Sequence, residues 1–156
     1  MVTGGAGYIG SHVVRELQNA GISVVVLDNL STGVRGFVPS DVPFVEADLL
    51  DTASVRGVLA EHSVTGVIHI AGFKFAGISV EKPLLAYQQN VTAMMSLLQA
   101  MEAEGVGKIV FSSSSSVYGN AASGLVREGD SFNPTSPYGE SKVIGEWLLR
   151  SQGVAS

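Results

Sequence analysis

The sequence has no cysteine. That excludes disulfides, thiolate metal sites and a cysteine nucleophile, and it fits a reducing compartment, so the cytoplasm is the expected location. Charge is scarce too: 15% of the 156 residues are Asp, Glu, Lys or Arg, and the balance is −5. The basic side chains, Lys74, Lys82, Lys108 and Lys142 among them, are scattered rather than massed. The field that draws a polyanion is missing, and no nucleic-acid partner is expected. No apolar run approaches the ~18 residues a membrane helix needs, and no basic leader precedes the first apolar residues, so neither membrane insertion nor secretion is expected. His12, His62 and His69 have no metal-like spacing, which leaves them structural roles and predicts no metal. A nucleophile elbow and a histidine placed to serve as its base are also missing, which argues against Ser-His-Asp hydrolysis.

What is present is apolar: 46% of residues are hydrophobic, enough for one globular domain with a substantial core. Runs rich in β-branched residues recur at 22–27, 67–70 and 108–111, with a weaker one at 43–45, and each reads as a short buried strand. Helical patterns fill the gaps at 8–19, 52–61, 83–103 and 138–151. Strands alternating with helices predict an α/β fold, a Rossmann-like doubly wound parallel sheet. Gly21, Gly105 and Gly153 follow helical stretches as C-terminal caps do, and Ser112 to Ser116 reads as a loop at a strand end rather than a linker. Both ends read as cut. Only Met1, Val2 and Thr3 precede the first glycine turn, whereas a central strand takes about five residues, and no further strand follows the last helix. The expectation is one incomplete dinucleotide-binding domain over residues 1–156, with a short first strand and with the later strands and a substrate domain absent.

Gly4, Gly7 and Gly10 follow the first strand and open a helix. In that context Gly4 makes a tight turn, Gly7 admits backbone to a pyrophosphate, and Gly10 lets helix pack closely on strand. The helix N-terminus then offers N–H groups and a positive dipole end to phosphate. Asp28 ends the second strand, 18 residues past Gly10. A carboxylate there takes ribose hydroxyls and repels a 2′-phosphate, which favours NAD over NADP; the alternative is that Asp28 and Asn29 merely start a turn. Asp48 ends the third strand, either near an adenine or, like Asp51, as a helix cap.

Tyr138 and Lys142 are four apart on the last expected helix, which Ser136 can cap and Pro137 can begin. One helical face carries both, so an ammonium beside the phenol would favour its ionised form. A phenol of pKa about 10 is otherwise a poor base near neutral pH. A solvated face with a snorkelling lysine is the plainer alternative. The serine run sits at the carboxyl end of a strand, where ligands of open α/β sheets lie. Ser114 is the favoured hydroxyl, although position alone does not separate it from its four neighbours. The aliphatic residues of 143–149, with Trp147, read as the buried face of the last helix.

Together these residues resemble the extended short-chain dehydrogenase/reductase superfamily, and within it most closely the UDP-glucose 4-epimerase family. The similarity runs through Gly4-Gly5-Ala6-Gly7-Tyr8-Ile9-Gly10, Leu27-Asp28-Asn29-Leu30, Ala71-Gly72-Phe73-Lys74, Ser79-Val80-Glu81-Lys82-Pro83-Leu84, Asn90-Val91, Ser112-Ser113-Ser114 and Ser136-Pro137-Tyr138-Gly139-Glu140-Ser141-Lys142. It implies catalysis by Ser114, Tyr138 and Lys142. It implies NAD held by Gly4, Gly7, Tyr8, Ile9, Gly10, Asp28, Asn29, Asp48 and Leu49, and further by Ala71, Lys74, Asn90, Ser112, Tyr138 and Lys142. The implied reaction is interconversion of UDP-glucose and UDP-galactose through a transient 4-keto sugar, as in galactose metabolism, and the implied partner is a UDP-hexose, a nucleotide-sugar substrate; a homodimer is compatible. Relatives that dehydrate nucleotide sugars carry acidic residues after the catalytic hydroxyl, where Ser115 and Ser116 stand here, which disfavours dehydration. The family's C-terminal half has no counterpart in these residues, so weak or no epimerase activity is expected of them alone. The competing readings are another reductase of this superfamily acting on a nucleotide sugar, and a non-catalytic NAD-binding module or fragment.

Overall fold

The computed structural model describes residues 1–120 and 124–153, so the end of the domain expected over 1–156 lies outside the described residues. Two compact units divide these residues: Met1–Ala71 with Ser96–Ser112, and Gly72–Met95 with Ser113–Gly153.

The first unit carries a five-stranded sheet of β1 (Val2–Thr3), β2 (Val26–Asp28), β3 (Phe44–Glu46), β4 (Val67–His69) and β5 (Ile109–Phe111). All its pairings are parallel and the order is β3-β2-β1-β4-β5. Val2 lies opposite Val26 and Ile68, and Thr3 opposite Leu27 and His69. Val2, Thr3, Val26 and Leu27 are essentially inaccessible, the continuous burial expected of central parallel strands. His69 meets the Thr3 hydroxyl with its Nδ1 at 2.7 Å and stacks on Phe111, a structural placement.

Helices α1 (Tyr8–Asn19) and α2 (Thr52–Glu61) match their sequence patterns residue for residue. Val2, Ala6, Val14, Val26, Val38 and Val42 form a core cluster, with Val13, Leu17, Val24, Phe44 and Ile68 packed against it. Each fully buried valine or leucine stabilises the fold by about 1.5–3 kcal/mol. The end of α1 is set by Gly21 at φ +72°, where the Gly21 and Ile22 N–H groups return to Gln18 and Leu17, a left-handed cap. Strands β2, β4 and β5 are shorter than the apolar runs that announced them; Val25, for example, is buried but precedes the paired stretch.

The second unit is built around α6 (Pro137–Ser151). Packed on it are α3 (Ala76–Glu81), α4 (Pro83–Tyr87), a π-turn at Gln88–Thr92 and a 3₁₀ turn at Ser115–Tyr118. The helix expected over 83–103 is present over that range: α4 passes through the π-turn into α5 (Ala93–Ala103) with right-handed helical backbone at Tyr87, Gln88 and Ala93, and the π-turn is the one departure from the α pattern. Within that turn the Asn90 amide makes its bonds outside its own helix, and one-turn π-bulges inside α-helices are frequent at functional sites. Helix α3 has no counterpart among the patterns read from the sequence. Trp147 corrects another expectation, since it is 52% exposed rather than part of the buried face. At 3.6 residues per turn it lies ~140° around the helix from Lys142, while Lys142, Val143, Gly145 and Leu149 are buried.

Candidate active site

In the first unit the candidate ligand-facing groups sit past the carboxyl ends of the five strands, whose order reverses between β1 and β4, the usual ligand edge of such sheets. Gly4 turns the chain at φ +72° and its N–H bonds the Leu27 carbonyl at 2.9 Å. Gly7 is the N-cap of α1 and supplies no side-chain cap, so the first N–H groups of a twelve-residue helix are left for an anion. Gly10 is compelled by space: a Cβ there would stand 2.0 Å from the Gly4 carbonyl oxygen. Next to this turn two large side chains stay in solvent, Tyr8 at 76% and Ile9 at 60% exposed.

Asp28 is nearly buried and does two things at once. Its Oδ2 accepts the Ala6 N–H at 3.0 Å, which ties the glycine turn to the end of β2, and its Oδ1 accepts the Leu30 N–H at 2.9 Å. The second bond is the turn-starting role read as the alternative; each oxygen keeps a further lone pair for a ribose hydroxyl. Asp48 accepts from Asn29 Nδ2 and from the Leu50 N–H, both at 2.9 Å, and Leu49 between them is buried. The capping role falls to Asp51, whose carboxylate takes the Ala53 and Ser54 N–H groups at the start of α2. The Ser54 hydroxyl first, then the Ser54 N–H, holds the Asp51 carboxyl below its ordinary value. Ala71 donates its N–H to the Thr3 carbonyl, and Ser112 donates its N–H to the His69 carbonyl. Both sit just past strand ends.

In the second unit Ser136 caps α6 by accepting the Gly139 N–H, and Pro137 takes the first helical position. Tyr138 and Lys142 share the helix face expected of them, with the ammonium 5.9 Å from the phenol ring centroid. Lys142 is 6% exposed, and desolvation pushes it from an ordinary 10.5 down to about 8. At pH 7 it still carries its proton roughly nine times in ten, so a positive charge beside the phenol persists. The solvated-lysine alternative fails on this burial.

Asn90 organises the neighbouring backbone. Its Oδ1 accepts the Phe73 N–H at 2.7 Å, and its Nδ2 donates to the Phe73 carbonyl at 3.0 Å and to Ser141 Oγ at 2.8 Å. Lys74 is exposed, with its ammonium over the Phe75 ring. Ser114 spends its bonds inside its own turn, accepting the Ser116 N–H at 3.2 Å and donating to Ser116 Oγ at 3.1 Å. Ser113 instead donates to Glu146 on α6. The serine turn and the start of α6 approach closely because Gly139 has no side chain; a Cβ there would lie 2.7 Å from the Ser116 carbonyl oxygen. Among the described residues no buried side-chain nitrogen or oxygen lacks a partner.

Three further residues of this unit contribute to the arrangement without a pattern of their own in the sequence: Ser79, Tyr87 and Gly139. Ser79 accepts the Tyr138 N–H at 3.1 Å, and Tyr87 donates its hydroxyl to Glu140. That bond to Glu140 pushes the Tyr87 phenol up to about 12. Ser79 and Gly139 fall inside motifs that carried the resemblance, and Tyr87 lies between two of them.

Residues 1–155 match the family model described as NAD dependent epimerase/dehydratase family. The chain is 47% identical over 157 aligned residues to the UDP-glucose 4-epimerase of Bacillus subtilis (strain 168), an alignment covering 96% of this chain and 46% of that protein. It superposes on the crystal structure of the Thermus thermophilus UDP-glucose 4-epimerase in complex with NAD with a TM-score of 0.94 at 42% identity, covering 97% of this chain and 50% of that one. The UDP-glucose 4-epimerase of Bifidobacterium longum in complex with NAD+ and UDP gives a TM-score of 0.92 at 37% identity, covering 99% and 49%. The chain thus spans about half the length of the curated relatives it matches.

Proposed function

The chain belongs to the NAD dependent epimerase/dehydratase family, and from that premise we propose that it is the NAD-binding half of an enzyme that inverts C4 of a UDP-hexose, interconverting UDP-glucose and UDP-galactose as in galactose metabolism. The observation that carries this reading is Lys142, an ammonium kept inside the protein on the same helix face as the Tyr138 phenol. Burial costs stability, so its retention here points to function. The cofactor reading is supported by the glycine turn, where the space above the Gly4 carbonyl oxygen would be filled by any side chain at position 10, and by the N-terminus of α1, which has no side-chain cap.

In this reading Gly4, Gly7 and Gly10 admit the pyrophosphate, Tyr8 and Ile9 flank it, and Asp28 takes the adenine ribose hydroxyls. Asn29, Asp48 and Leu49 lie toward the adenine, and Ala71, Lys74, Asn90 and Ser112 complete the cofactor contacts. Ionised Tyr138 takes the proton of the C4 hydroxyl, and Ser114 bonds the same oxygen and relays the proton. The Lys142 charge favours the ionised phenol and its ammonium bonds the nicotinamide ribose. Bound NAD would supply the acceptor and donor for the C4 hydride, which returns to the opposite face of the 4-keto sugar, so that C4 is inverted without net redox change. Ser115 and Ser116 offer neither acid nor base, which leaves epimerisation rather than dehydration. A homodimer in the cytoplasm belongs to the same reading.

The test is the full-length protein carrying this chain, mixed with UDP-galactose while the absorbance of reduced nicotinamide is followed. Substrate-driven reduction and formation of UDP-glucose are expected, and Tyr138→Phe lowers turnover about a thousandfold. NAD binding with no substrate-driven reduction would instead favour a non-catalytic NAD-binding module.

A further inference from the structure

Helix α3 is only six residues long, yet Ser79 on it is completely buried. Its hydroxyl donates to the Ala76 carbonyl at 2.5 Å and accepts the Tyr138 N–H at 3.1 Å. The first turn of α6 would otherwise leave donors without partners. Pro137 has none to offer, the Gly139 N–H goes to the Ser136 side chain, and the Glu140 N–H returns to the Ser136 carbonyl. The Tyr138 N–H is the donor that needs help from another segment, and Ser79 supplies it.

The carbonyl of the same residue is held as well. Ser141 Oγ donates to the Tyr138 carbonyl at 2.7 Å and accepts from Asn90 Nδ2 at 2.8 Å. The Tyr138 backbone is thus gripped at both of its polar atoms, at the N–H by a fully buried hydroxyl from residue 79. Tyr87 adds a third tether two residues along, through Glu140.

We propose that Ser79 is a positioning residue for Tyr138: its buried hydroxyl fixes the backbone from which the phenol projects, and so sets where the phenol oxygen stands. The inference rests on the proposed function, in which that oxygen removes a proton. Removing the hydroxyl leaves the N–H to recruit water or to shift, and a displacement near 1 Å at a reacting group costs about a hundredfold in rate.

The experiment uses the full-length protein with bound NAD, as wild type, Ser79→Ala and Ser79→Thr. Single-turnover reduction by UDP-galactose gives a rate constant and an amplitude. Ser79→Ala should lower the rate constant about 10- to 100-fold with amplitude and KM unchanged, and Ser79→Thr, which keeps the hydroxyl, should restore it to within about threefold. A purely structural role would lower the amplitude, the fraction of competent sites, and leave the rate constant alone. A folded Ser79→Ala protein with a rate constant within about twofold of wild type overturns the proposal. Should Ser79→Ala not fold, Ser79→Cys, with a weaker acceptor, is expected to react about tenfold more slowly; a wild-type rate there overturns it equally. If the wild type shows no reduction at all, the functional reading fails separately. The Ser79 tether is then read from hydrogen exchange: protection of the Tyr138 amide should be lost in whichever of the two variants folds, and unchanged protection overturns it.

Discussion

In the first unit the groups that would meet a ligand are mostly backbone. Gly4, Gly7 and Gly10 work by what they lack, and Asp28 spends part of its carboxylate on the N–H of Ala6 inside the turn itself. In the second unit the equivalent groups are side chains, and they are placed by other side chains. Ser79, Asn90 and Tyr87 lie 51 or more positions before the residues they hold on α6. A backbone site is rigid because its atoms belong to a strand and a helix already fixed by the core. A side-chain site is rigid only as long as each hydrogen bond in the relay persists, so it should fail by degrees.

The largest effect should come from breaking the backbone site. In Gly10→Ala the new Cβ would meet the Gly4 carbonyl oxygen at 2.0 Å, against backbone that cannot give way without moving β1. A stability loss of about 3 kcal/mol or more is expected, together with a loss of NAD affinity of at least about a hundredfold by calorimetric titration. Wild-type affinity in that variant would show that the helix does not need its close approach to the strand.

The same contrast decides what could be read from the sequence. Helices α1 and α2 were legible to the residue because their ends are local: Gly7 and Asp51 begin them, and Gly21 terminates the turn after α1. The five strands were legible in place along the chain though not in length, since a buried apolar run continues past the residues that pair. Asp28 was legible by its distance from Gly10, but not its bond to Ala6. In the second unit the π-turn at 88–92 was invisible, because the Asn90 amide bonds Phe73 and Ser141, 17 residues before it and 51 after it. Ser79 and Tyr87 were invisible for the same reason, and Trp147 was misplaced because an aromatic residue among aliphatics looks like core. Spacing along a chain reports local periodicity; a hydrogen bond to a distant segment leaves no period.

A smaller effect of opposite sign is expected at Lys142. The unfolded chain holds its proton up to an ordinary 10.5, whereas the folded protein releases it near about 8. Folding therefore expels a proton between those values, and stability from this group rises with pH across that window, while below about 8 the full penalty of burying the charge applies. The penalty is about 3 kcal/mol. Lys142→Met should thus abolish turnover yet be more stable than wild type at pH 7 by about 1–3 kcal/mol, with the gap narrowing by about pH 10 in urea titrations. A variant less stable than wild type at pH 7 would mean that Lys142 is structural, and the second unit would lose its strongest sign of function.

The finest comparison uses two helix caps, one in each unit. Ser136 accepts one N–H at the start of α6, and Asp51 accepts two at the start of α2. Ser136→Ala should cost about 1 kcal/mol and also slow turnover, because the turn it opens carries Tyr138. Asp51→Ala should lower the thermal midpoint and leave turnover unchanged. The two also differ in their response to acid. The Asp51 carboxyl is held below its ordinary 3.8 by the Ser54 hydroxyl and N–H, so its contribution is present above that value and disappears as pH falls through the folded one. Wild type and Asp51→Ala should converge in thermal midpoint as pH falls below the ordinary 3.8, whereas the Ser136→Ala difference should persist, since a serine hydroxyl does not titrate. Equal losses of turnover in the two cap variants would erase the distinction, because both units would then transmit local fraying to the chemistry alike.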